Sequence, residues 1–147
     1  MKTLKILISL LFAAGLCHAD DNKPCVGPKG GKLLDNRAPR AEFFIENDNR
    51  VCVTFYDANL RPLPVGTRVV TVTAEPRAGK QVLDLEEKNG ALVSKRSLPK
   101  SGFFDEYQIT VQIKESPDAK AEVFHVRFDL DICSKCKHPE YTCTCAR

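Results

Sequence analysis

Short runs in which apolar and polar residues alternate, divided by turn residues, set the character of this chain. Residues 50–56 place Val51, Val53 and Phe55 on one side and Cys52, Thr54 and Tyr56 on the other. Strand side chains point to opposite faces in turn, so this pattern marks a strand with one face on a core. Residues 68–74 repeat it, with Val70, Val72 and Ala74 set against Thr71 and Thr73. Residues 107–113 set Tyr107, Ile109, Val111 and Ile113 against Gln108, Thr110 and Gln112. In 121–130, Phe124, Val126, Phe128 and Leu130 point inward and His125, Arg127 and Asp129 outward. Residues 41–46 form a further strand, closed by the turn Asn47-Asp48-Asn49. Residues 81–86 and 91–95 flank Asn89-Gly90, a pair suited to the type I′ turn of a hairpin. Residues 57–66 hold Asn59, Pro62, Pro64 and Gly66 and make a connection.

Seven such segments with no amphipathic helix predict an all-β fold: a small antiparallel β-sandwich of immunoglobulin-like architecture. Its core is expected in the strands ahead of Asp131. Four parts follow in order: a signal peptide at 1–19, a polar and Gly/Pro-rich leader at 20–32, the β-sandwich at 33–132 and a Cys-rich tail at 133–147.

The first part sets the compartment. Lys2 and Lys5 form a basic start, the residues from Ile6 to Leu16 are apolar or small apart from Ser9, and Cys17-His18-Ala19 presents small side chains at −3 and −1 of a cut before Asp20. This is a secretory signal, too short to span a membrane as a helix. A bulky Leu16 directly before Cys17 argues against lipidation there. No second long apolar run follows, so the expected product is periplasmic or secreted and not membrane-spanning. The signal takes two lysines with it, leaving basic residues one ahead of the 19 acidic ones. That balance, with no basic cluster interleaved with aromatics, gives no footprint for nucleic acid. Nor does anything suggest an enzyme. Beyond the signal the histidines are His125 and His138, and no Ser-His-Asp or Cys-His set can be assembled.

The chemistry lies in the tail. Cys133-x-x-Cys136 and Cys143-x-Cys145 stand within thirteen positions, with His138 between them. A Cys-x-x-Cys turn and an extended Cys-x-Cys each point two sulfurs one way. Facing each other, they supply a tetrahedral site for a thiophilic ion, Zn²⁺ or Cu(I). Met occurs only at position 1, which excludes a Met-rich copper site. The candidate ligands are Cys133, Cys136, His138, Cys143 and Cys145, five groups for about four places, and His138 can replace one sulfur. Lys135 and Lys137 bring positive charge to the thiolates. Export favours a second reading, in which the tail is stapled by disulfides and the domain serves structure or interaction alone. Free or redox-active thiols are the third. A thioredoxin-like enzyme is disfavoured, since no helix can start at Cys133 with Pro139 so close. Outside the tail, Cys25 and Cys52 are expected to pair as a disulfide, with Cys25 as a further metal ligand the alternative.

One stretch carries a resemblance. Gly27-Pro28-Lys29-Gly30-Gly31-Lys32-Leu33, then Ala41-Glu42-Phe43-Phe44 and Val51-Cys52-Val53-Thr54-Phe55, resembles the Gly-Pro-His-Gly-Gly-x-Leu stretch and following β segment of periplasmic adaptor subunits of heavy-metal efflux systems, over roughly residues 27–60. The resemblance implies an exported location and a metal-efflux or envelope protein as partner. Lys29 stands where the family often has His, and the long coiled-coil and lipoyl-like parts of an adaptor are missing.

Overall fold

The computed structural model describes residues 26–35, 37–100 and 106–145. The signal segment with its cut site, and Cys25 with its expected bond to Cys52, lie outside them. The described residues contain no helix. They form ten strands: β1 (Lys32–Leu33), β2 (Arg40–Ile45), β3 (Val51–Tyr56), β4 (Pro62–Leu63), β5 (Val69–Glu75), β6 (Gln81–Leu83), β7 (Leu85–Lys88), β8 (Ala91–Ser94), β9 (Tyr107–Lys114) and β10 (Glu122–Phe128).

Two antiparallel sheets pack face to face. In the first, the order is β1-β2-β3-β8-β7, with β4 sharing the β8 side of β3. In the second it is β10-β9-β5-β6. The alternation decides what lies between them. Ala41, Phe43, Ile45, Val51, Val53 and Phe55 of the first sheet meet Val72, Ala74, Ile109, Val111, Val126 and Phe128 of the second in one core. The sandwich expected from the pattern is therefore present. Asn89 and Gly90 both take positive φ, and Lys88 pairs with Ala91 across them. Those are the dihedrals that a type I′ turn demands.

Three details differ from the alternation read alone. The run 81–86 is two strands: β6 pairs with β5 in one sheet and β7 with β8 in the other, the chain changing sheets at Asp84. Leu130, expected inward, is 40% exposed, because β10 ends at Phe128 and the alternation lapses with it. The core also does not stop at Asp131. Tyr141 of the tail is one of its members, 3% exposed, with its ring edge-on to Phe43 and its hydroxyl accepting from the Ile45 amide at 3.2 Å.

A fourth difference explains the Gly-rich stretch. All six residues of β3 are buried, so Cys52, Thr54 and Tyr56 have a roof where solvent is expected. Residues 27–31 supply part of it. Their amides at Lys29 and Gly31 donate to the carboxylate of Glu42, at 3.0 and 2.7 Å, and the Tyr56 hydroxyl donates to it at 2.8 Å. Glu42 is wholly buried, and this set of donors is what permits it. Burial, then the Glu42 carboxylate, pushes the Tyr56 phenol well above its usual range. Gly31 is required by contact: a Cβ there would stand 2.5 Å from the Phe43 carbonyl oxygen. Glu42→Leu, which leaves three donors facing an apolar chain, is expected to cost roughly 3 kcal/mol, and Gly31→Ala about 2 kcal/mol. Urea unfolding checks both, and midpoints equal to wild type would remove the roof's structural role.

Candidate metal centre

Beyond β10 the backbone folds back on itself. Tyr141 N donates to Asp129 O at 3.0 Å and Glu140 N to Asp131 O at 2.7 Å, and Ile132 bridges Pro139. At the far end Cys133 N donates to His138 O and Lys137 N to Cys133 O, both at 2.9 Å. Lys137 has φ +63°, which turns the chain tightly enough to close this loop. The return leg is held by Thr142, 1% exposed, whose amide and hydroxyl both donate to Pro139 O.

These two bends place the sulfurs. Those of Cys133, Cys136, Cys143 and Cys145 all lie within 4.8 Å of one another, and Cys136 Sγ is 3.6 Å from Cys143 Sγ. Four sulfurs about 2.3 Å from one tetrahedral ion stand about 3.8 Å apart, so the spacing fits a metal shell. It does not fit bonded pairs, which need about 2.0 Å. All four are free thiols, Cys133 buried and the other three half-buried. His138, the fifth candidate, is exposed and outside the cluster; what it contributes is its backbone carbonyl.

The surroundings favour thiolate. The amide of Cys136, then the Cys143 thiol and the amide of Lys135, hold Cys133 down at about 7. Backbone N–H groups aimed at a sulfur stabilise its negative charge without needing a cation. Cys143 goes the other way. The Cys145 amide favours its thiolate, but Cys133, burial and the other two thiols outweigh that and push it up to about 12. Cys145 is raised too: its contact with Cys143 favours the thiolate, while burial and the remaining thiols oppose it more strongly. The Cys133 proton thus leaves near neutrality, while those of Cys143 and Cys145 leave only when a cation compensates the charge. The sign for binding follows: metal uptake releases protons, and affinity falls as pH falls. Below pH 7, where Cys133 also reprotonates, the apparent Zn²⁺ affinity is expected to drop by more than about tenfold per pH unit. Chelator competition between pH 8 and 5.5 checks this, and a flat profile would exclude thiolate ligation.

Cys52, the remaining described cysteine, is far from this chemistry in sequence and role. It is a free, buried thiol with Lys29 Nζ at 3.3 Å and Thr54 Oγ1 at 3.7 Å. His125 lies on the outer side of β10 against Gln108. Among the described residues no helix is long and apolar enough to cross a membrane. Set against family models, curated proteins and solved structures, the chain finds no match.

Proposed function

We propose that this protein is an exported, non-enzymatic β-sandwich that binds one thiophilic metal ion through Cys133, Cys136, Cys143 and Cys145. The observation that carries the reading is the gathering of four sulfurs within 4.8 Å, at the end of a hairpin whose backbone already favours a thiolate. A tetrahedral set of four sulfurs suits Zn²⁺ better than Cu(I). Four protein ligands leave no open position for a substrate, which supports a non-catalytic role. Export rests on the segment ahead of Asp20. Work in metal handling at the cell envelope, with an efflux or envelope protein as partner, rests on the likeness of residues 27–60 to the efflux adaptors.

The test is metal content and thiol state of the mature chain. One Zn²⁺ per chain, and with Co²⁺ the sulfur-to-metal charge-transfer bands of a tetrahedral thiolate site, are the expected results. A C-terminal peptide four hydrogens lighter in freshly isolated protein, with no metal uptake after reduction, would establish the disulfide-stapled domain instead.

A further inference from the structure

We infer that the ion is a resident clasp of the sandwich, held through Tyr141, and not a cargo that the protein passes on. This rests on the metal reading above. Tyr141 stands between the two ligand pairs, five residues after Cys136 and two before Cys143. Its ring lies in the core with its centroid 6.3 Å from that of Phe43, and the Ile45 amide of β2 donates to its hydroxyl. Its own amide is bonded to Asp129, so the segment is tied to the sandwich by backbone as well as side chain. Thr142, next in sequence, is buried too.

Geometry then links two events. To part Cys143 from Cys133 and Cys136 while their loop holds its place, the chain moves at the residues directly before Cys143. Those are Tyr141, seated in the core, and the buried Thr142 beside it. Opening the shell pulls on Tyr141, and unseating Tyr141 separates the ligand pairs. Linkage of this kind is reciprocal: what the ion contributes to docking Tyr141, docking Tyr141 contributes to the ion's affinity. A delivered ion needs a site that opens while the fold stays closed. This site opens at the expense of the core.

The experiment uses the mature chain with Tyr141→Leu and Tyr141→Phe, neither of which touches a ligand. Tyr141→Leu keeps an apolar side chain but, being smaller, loses the edge contact and the hydroxyl; Tyr141→Phe loses only the hydroxyl. Zn²⁺ affinity is read by competition with a chromophoric chelator, and release by the same dye in excess, with circular dichroism to show folded protein. Tyr141→Leu is expected to weaken binding and speed release by about tenfold or more, and Tyr141→Phe by about threefold. Wild-type affinity and release in folded Tyr141→Leu overturn the inference while leaving the metal site intact. If Tyr141→Leu does not fold, Tyr141→Phe decides, and release at the wild-type rate overturns the inference. A wild-type chain that takes up neither Zn²⁺ nor Co²⁺ overturns the metal reading and this one with it.

Discussion

Serine at both Cys136 and Cys143 is expected to abolish tight metal binding and to lower the melting temperature of the metal-loaded protein by more than about 10 °C. Together the replacements take one sulfur from each pair, leaving Cys133 and Cys145, and two thiolates do not make a closed tetrahedral site. The thermal effect follows from mass action. An ion present at about a thousand times its dissociation constant stabilises the state that binds it by roughly 4 kcal/mol, and a domain of this size moves by about 3–5 °C per kcal/mol. The sandwich itself should stay folded, with β-rich circular dichroism, because most of its core lies in β2, β3, β5, β9 and β10. Calorimetry with and without a chelator checks this: chelator should lower the wild-type melting temperature and leave the double variant unmoved. Equal melting for wild type and variant, both in excess Zn²⁺, would show that the ion contributes nothing to the fold.

Val111→Asp is expected to destabilise the protein by more than about 4 kcal/mol, a large part of the 5–15 kcal/mol that holds a typical domain together. Val111 lies in β9, the strand flanked by β5 and β10, opposite Val72 and Phe124, and is 0% exposed. A carboxylate there meets an apolar core on every side and finds no cation. Urea unfolding followed by circular dichroism gives the number. A loss under about 1 kcal/mol would mean that β9 presents its other face inward.

How far the sequence carried depends on the range of the force concerned. Alternation is local, and where a strand is buried on one side by the opposite sheet it located both strand and face, as for Val70, Val72 and Ala74. The two-residue strands β1 and β4 are too short to show a period. The break at Asp84 is invisible because side chains alternate across it while the pairing partners change. Cys52 and Glu42 were illegible for another reason. What buries them is a loop that comes from outside the strand, and its glycines announce a turn without saying what the turn covers. In the tail, spacing alone brought four sulfurs together correctly, since each pair is a local motif. The same spacing kept His138 as a ligand, because sequence does not show that the loop uses its carbonyl and turns the ring outward. Tyr141 drew no notice among the cysteines, though a lone aromatic in a polar segment that follows the last strand is the signal that would have tied tail to core.

The loop across β3 also has a chemical outcome. Oxidants and disulfides reach a sulfur that is both deprotonated and accessible. Cys52 is 3% exposed, packed with Phe44, Ala91 and Val93, with Lys29 Nζ and Thr54 Oγ1 at its sulfur. It is thereby withheld from thiol–disulfide exchange while the sandwich is closed. Tail thiols without an ion can react with one another, while Cys52 stays out of their reach as long as a loop of glycine, proline and one lysine covers it.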